Sequence, residues 1–133
     1  MQVANAAWMK IAGRQTFFFA AIVAATLDAS AAEVVFWGKP TRQCTMNGGS
    51  AACKDLSPEQ QEAYRCVVVQ EGGQFRWKSR EGVVLQKVTN PQYVTYVADT
   101  GAGLIKIGRD GSYVEVLHFR DAVLGYWGTS DGR

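Results

Sequence analysis

Residues 93–119, YVTYVADTGAGLIKIGRDGSYVEVLHF, are the stretch that decides the fold. They contain three runs rich in β-branched and aromatic residues, 93–98, 104–108 and 112–119, which are separated by short turn segments. Asp110-Gly111 lies between two of these runs and is the strongest hairpin signal in the chain. The stretch therefore predicts antiparallel strands joined by tight turns.

Further β-type runs lie on either side of this stretch. Residues 65–70, 75–80 and 83–89 precede it and residues 123–128 follow it, with turn residues between them. Residues 34–37 are positioned to pair with residues 123–128 and so to close the sheet. The sequence predicts an all-β domain, a small antiparallel meander closed as an up-and-down β-barrel or folded as a two-layer β-sandwich.

One short helix is expected among the strands. Ser57 is a natural N-cap, Pro58 suits the first helical position, and Gln60 completes a capping-box pattern, so the helix is predicted from Pro58 to about Tyr64. Residues 38–57 are mostly polar, and we interpret them as a long loop. Such a loop is longer than a compact domain usually carries, so a disulfide within it is expected.

Three cysteines, Cys44, Cys53 and Cys66, lie close together in the chain. In an oxidising compartment, an odd number of cysteines indicates one disulfide and one free thiol. Cys44–Cys53 is the favoured pair because small and polar residues between them let the chain turn back, and Cys53–Cys66 and Cys44–Cys66 remain alternatives. The spacing is not that of a zinc site, since there is no C-x-x-C pair. No metal and no cofactor is expected.

Residues 1–31 have the pattern of a signal peptide. Lys10 and Arg14 precede an apolar run at 17–27, and Ala29-Ser30-Ala31 forms an A-x-A cleavage site. The apolar run is shorter than the roughly 20 residues that span a bilayer. We expect cleavage after Ala31 or one residue later, which leaves one β-rich domain, 32–133, in the periplasm or the medium with no stable membrane anchor.

The charge balance does not favour nucleic acid or a membrane surface as a partner. The whole chain has a formal net charge of +2, and Lys10, Arg14 and Asp28 belong to the leader. The remaining residues carry twelve cations and eleven anions, a net charge of +1. No specific nucleic-acid binding is therefore expected.

Residues 75–80, FRWKSR, alternate strictly between apolar or small and basic side chains. On a strand, Arg76, Lys78 and Arg80 would share one face. A basic stripe beside aromatic residues is a candidate surface for an anionic polymer. A charged solvent face that resists edge pairing accounts for the same pattern.

Asp99-Thr100-Gly101-Ala102 resembles the catalytic D-T-G-A of retropepsin-like aspartic proteases, and Gly108-Arg109-Asp110 resembles that family's later G-R-[ND] motif. Only five residues separate the two motifs and 32 follow Gly101, too few for the flap, the second apolar-Gly strand and the helix of that fold. We interpret the segment as a hairpin turn in which Asp99 caps its own backbone. His118 has no neighbouring nucleophile or acid signature, so no catalytic residue is assigned.

These features together predict an exported, non-enzymatic binding protein that acts through an exposed β surface or loop. Its partner would lie in the envelope or outside the cell, with an anionic polymer as one candidate. The alternative is an inhibitor of a hydrolase that uses the Cys44–Cys53 loop as a wedge, and an enzyme of unknown type is a third alternative.

Protein recovered from the envelope or the medium is expected to begin at Ala32 or Glu33, because the signal peptidase selects small residues at the −3 and −1 positions. N-terminal sequencing and intact mass measure this. The control variant Ala31→Arg, which places a bulky cation at the −1 position, should accumulate unprocessed. Recovery of exported protein that starts at Met1 would contradict the prediction.

Overall fold

The structure is a computed structural model that describes residues 31–131. The predicted signal peptide lies outside the described residues except for its last position. In chain order the elements are β1 (Ala32–Asn47), β2 (Ser50–Asp55), α1 (Pro58–Ala63), β3 (Cys66–Glu71), β4 (Gln74–Trp77), a 3-10 turn (Lys78–Arg80), β5 (Val83–Thr89), β6 (Tyr93–Ala98), β7 (Gly103–Gly108), β8 (Ser112–His118) and β9 (Ala122–Ser130).

Eight of the strands close into an antiparallel barrel. From β3 to β9 each strand pairs with the next along the chain, which is the predicted meander. The long strand β1 joins the two ends, since its first half pairs with β3 and its second half with β9. The short strand β2 is added beside the second half of β1. Closure leaves the barrel strands with few unpaired edges, and it confirms a barrel rather than a sandwich.

The turn after β7 shows how the sequence forms these tight connections. Gly111 has a φ of +90°, a backbone conformation that glycine adopts without strain. The Asp110 carboxylate accepts hydrogen bonds from the Ser112 backbone N–H at 3.0 Å and from the Ser112 hydroxyl at 2.6 Å. The predicted Asp110-Gly111 hairpin is confirmed, and local hydrogen bonds hold it.

The expected loop at residues 38–57 is instead a long β-hairpin, formed by the second half of β1 and by β2. The loop prediction is wrong because it took apolar alternation as the mark of a strand, and these mostly polar residues lack it. This hairpin is held by backbone pairing, with β9 on one side of β1 and β2 on the other. For the same reason β9 closes the barrel against Gly38–Asn47 of β1, whereas residues 34–37, the predicted partner, lie on the part of β1 that pairs with β3.

The disulfide and the helix are as predicted. Cys44 and Cys53 stand directly opposite each other on β1 and β2 and form a disulfide, while Cys66 is free and buried at the start of β3. Ser57 caps α1 and Gln60 completes the capping box in both directions. A disulfide at this point holds together a hairpin that buries little apolar surface of its own.

Side chains fill the interior of the barrel. An eight-stranded barrel leaves an interior just wide enough for its own side chains. The buried cluster comprises Phe36, Leu56, Cys66, Val68, Trp77, Leu85, Tyr96, Ala98, Ile105, Tyr113, Leu117 and Tyr126. One charged residue, Glu115, is fully buried among them.

Gly128→Ala is expected to destabilise the barrel at its closing seam. A Cβ atom at position 128 would lie on the backbone of Lys39 and Pro40 in β1, which cannot move without breaking the pairing of β9 with β1. We expect a loss of about 2–3 kcal/mol in the free energy of unfolding, measured by urea denaturation. The neighbouring exposed variant Thr129→Ala is the control, and equal stability of the two variants would contradict this view of the seam.

Candidate functional site

The most unusual group in the interior is the Glu115 carboxylate, which has no solvent exposure. It accepts a hydrogen bond from Trp77 Nε1 at 2.8 Å. Arg80 adds a two-pronged contact, with its Nε 3.2 Å from Glu115 Oε2 and its Nη2 3.1 Å from Oε1. A buried carboxylate requires this kind of pairing, because an unpaired buried charge is strongly unfavourable.

The chain positions Arg80 by ending strand β4 early. After Trp77 the backbone enters the 3-10 turn Lys78–Arg80, and Glu81 follows in a left-handed conformation with φ +60°. The Arg80 guanidinium stacks over the Tyr126 ring at 5.5 Å and is partly exposed. Arg80 therefore contacts both the interior cluster and the solvent.

Two buried titratable groups in this cluster, Cys66 and Tyr113, favour their neutral forms. Burial raises the pKa of the Cys66 thiol well above its usual value, and the Glu115 carboxylate raises it further. Burial also raises the pKa of Tyr113, with the same carboxylate contributing. A thiol of this kind lacks the electropositive, accessible surroundings that make a cysteine reactive. The arrangement is suited to organising the barrel interior.

The three residues of the predicted basic stripe do not share one face. The predicted strand 75–80 is wrong in its second half, because β4 ends at Trp77. Arg76 and Lys78 line an outer depression of about 270 Å³, which Glu71 also lines. Arg76 donates to the Gly82 carbonyl and to Gln74, whereas Arg80 pairs with the buried Glu115. Binding of an anionic polymer on these residues stays a prediction, without the common face that motivated it.

The protease-like motif lies in the turn between β6 and β7. Gly101 takes a positive φ of +80°, and the Thr100 hydroxyl accepts a hydrogen bond from the Ala102 N–H at 3.3 Å. The threonine, and not the expected Asp99, supplies this side-chain acceptor. His118 is exposed at the end of β8, with its Nδ1 3.2 Å from the Gly101 carbonyl oxygen.

Exposed apolar residues gather at the tip of the disulfide-linked hairpin. Met46 and Phe119 are each 59% exposed, and Val123 pairs directly with Met46 across β9 and β1. A depression of about 360 Å³ lies between the β1–β2 turn and the β8–β9 turn, and these three residues line it. This region, here the hairpin tip, carries the Cys44–Cys53 loop for which an inhibitory role is predicted.

A second open feature is a groove of about 520 Å³ on the outer wall of the barrel, across β6 to β9. Its walls include Tyr93 on β6 and Trp127 on β9. Val114 on β8 also lines the groove and pairs directly with Trp127. Trp127 is 44% exposed. Its ring lies against Gly125, where a Cβ atom would come within 2.7 Å of the indole. The missing side chain lets the indole lie along the strand, and we call this feature the outer groove.

The polar side chains in the outer groove are one ammonium and several hydroxyls. The Lys106 ammonium stands over the Tyr93 ring at 3.8 Å from its centroid. Hydrogen bonding with Asn90 and then with Lys106 lowers the pKa of Tyr93. Hydroxyl groups of Ser112 and Thr129 also line the groove. The groove thus combines aromatic walls with one cation and several hydroxyls, a composition that suits a polar ring-shaped ligand.

Sequence reasoning missed both Glu115 and the outer groove. The signal for Glu115 is its place between Tyr113 and Leu117, which puts a carboxylate on the inward face of β8. The signal for the groove is that Tyr93, Lys106 and Trp127 each occupy an outward position on their strand. Recognising that these side chains meet on one face of the sheet required the pairing register of β6 to β9, which single-strand periodicity does not supply.

Comparison of the chain with protein-family models, with curated proteins and with solved structures finds no match of any of the three kinds. Within residues 31–131, no helix has the length and apolar character needed to cross a membrane. The same residues contain no group of three or more His, Cys, Asp or Glu side chains placed to hold a metal ion. Geometry alone therefore supports the functional argument.

Glu115→Gln is expected to lower the free energy of unfolding by about 3 kcal/mol, because it leaves the Arg80 guanidinium beside the core without its counter-charge. Urea denaturation measures this. The matched control is Glu71→Gln, which removes the partner of Arg76 from an exposed pair 3.6 Å apart and should cost under about 1 kcal/mol. Equal effects of the two changes would show that the buried pair does not organise the barrel.

Proposed function

We propose that this chain is an exported, non-enzymatic binding protein that engages its partner on the outer wall of the barrel. The observation that carries the proposal is the contrast between the two sides of the wall. Buried side chains, Trp77 and Glu115 among them, occupy the interior, whereas Trp127 and Tyr93 line an open groove outside. The Cys44–Cys53 disulfide is compatible with an oxidising compartment and so supports export.

The outer groove has the features of a binding site on a rigid support. Its aromatic and polar residues stand on the consecutive strands β6 to β9, with Thr41 on the adjoining β1, and these strands are paired with one another. Side chains on paired strands lose little freedom when a ligand binds, and aromatic side chains supply much of the binding energy at protein surfaces. Trp127 is the residue expected to contribute most.

Inhibition of a hydrolase remains a second candidate function, and the hairpin tip favours it. The disulfide holds β1 and β2 together near their turn, and Met46 and Phe119 extend exposed apolar surface beside it. A rigid loop with an apolar tip is suited to insertion into the cleft of another protein. The two candidate functions use different faces, so one assay separates them.

Exported protein is expected to sediment with washed envelope and extracellular polymer from the producing cells. Trp127→Ala should weaken this binding about tenfold, because the variant removes the main aromatic contact of the groove. Met46→Asp, which alters only the hairpin tip, should bind as the wild type does. The measurement is the sedimenting fraction over a range of protein concentrations.

Retention of Trp127→Ala at the wild-type level, or a wild-type protein that stays in the supernatant, would contradict binding through the outer groove. Loss of retention in Met46→Asp alone would assign the site to the hairpin tip. That outcome would favour the inhibitor.

A further inference from the structure

The outer groove continues into a second depression on the far side of Tyr93. This depression has a volume of about 320 Å³, and Asn90, Val94 and Arg109 line it. Tyr93 and Gly108 line both depressions. The two depressions adjoin at these residues, and we call them together the channel; Val94, which lines the second depression, also packs against the core.

Each depression contains one cation and no lining carboxylate. Lys106 belongs to the first and Arg109 to the second. Arg109 uses its Nη1 to donate to the Pro91 carbonyl at 3.0 Å and keeps its other donors. The carboxylate of Asp110 lies beside Gly108, but Ser112 engages it with two hydrogen bonds.

The aromatic walls suit the flat apolar face of a sugar. The face of an aromatic ring is electron-rich and attracts positively polarised groups, including the C–H groups of a pyranose ring. Trp127 is supported on one side by Gly125 and is 44% exposed. In the same depression the Thr129 hydroxyl can donate to or accept from a sugar hydroxyl, and the Ser112 hydroxyl, whose proton is donated to Asp110, can accept.

We propose that the outer groove binds an acidic glycan, with a sugar ring stacked on Trp127 and a sugar carboxylate paired with Lys106. This inference rests on the proposed function and specifies its ligand class. Arg109 takes the carboxylate of a further sugar unit in the second depression. A polymer of uronic acid units has both the ring faces and the spaced negative charges that this channel matches.

Single-stranded nucleic acid also combines rings with negative charge, but this surface fits it less well. Its affinity comes mainly from neutralising a series of phosphates. The channel offers two cations, and residues 32–133 carry a net charge of only +1. Binding of a nucleic acid is therefore expected to be weaker than binding of an acidic glycan, and the test below compares the two.

The test titrates the exported protein with three probes by calorimetry: an oligogalacturonate, its fully methyl-esterified neutral form, and an oligothymidylate of equal charge. The oligogalacturonate should bind best. Trp127→Ala should weaken its binding about tenfold through lost stacking. Lys106→Gln should weaken it about fivefold, as expected for one exposed ion pair, and should leave any binding of the ester unchanged.

Two matched controls lie away from the groove. Lys54→Gln removes an exposed cation on β2, and Phe119→Ala removes an exposed aromatic ring at the hairpin tip. Both should bind as the wild type does. Gly125→Ala should weaken binding while leaving the fold intact, because the added methyl displaces the movable indole of Trp127 and no backbone atom.

Equal binding of the acid and the ester, tighter binding of the oligothymidylate, or an unchanged affinity in Trp127→Ala would each overturn the inference. No binding of any probe, together with envelope retention that still depends on Trp127, would overturn the acidic-glycan assignment alone. The proposed binding function would survive that result, so the two failures are distinguishable.

Discussion

The buried Glu115 carboxylate is the constraint on which the rest of the barrel depends. A charge inside an eight-stranded barrel is tolerated only when donors surround it, and Trp77 and Arg80 supply three hydrogen bonds to its two oxygens. Those contacts fix where strand β4 ends, because Arg80 reaches Glu115 from the turn that follows Trp77. They also connect β4 to β8, strands that are not neighbours in the sheet.

The filled interior is the reason for proposing recognition on the outside of the barrel. With Trp77, Glu115 and Cys66 fully buried, a ligand inside would have to displace paired and closely packed groups. The outer wall needs no such rearrangement, since Trp127 and Tyr93 are already placed by strand pairing. The stability of the interior and the rigidity of the proposed binding surface therefore have a common origin in the closed sheet.

The sequence predicts features that depend on residues close together in the chain better than features that depend on pairing between strands. The turn at Asp110-Gly111, the cap at Ser57 and the Cys44–Cys53 disulfide depend on neighbouring residues, and all were predicted. The hairpin of β1 and β2 was missed because backbone pairing with β9 replaces apolar alternation. The sequence predicts Arg80 on an outer stripe because nothing in residues 75–80 indicates that its guanidinium pairs with Glu115 on β8. A candidate site built across strands, such as the outer groove, can be recognised only when the pairing register is known.

The most direct measurement follows the tryptophan indole N–H groups of residues 32–133 by nuclear magnetic resonance while envelope polysaccharide is added. The Trp77 signal should exchange slowly with solvent and stay in place, because its N–H is buried in a hydrogen bond to Glu115. The Trp127 signal should shift on binding, because its ring lines the outer groove. Binding that shifts Trp77 and leaves Trp127 unmoved would place the ligand inside the barrel and contradict recognition on its outer wall.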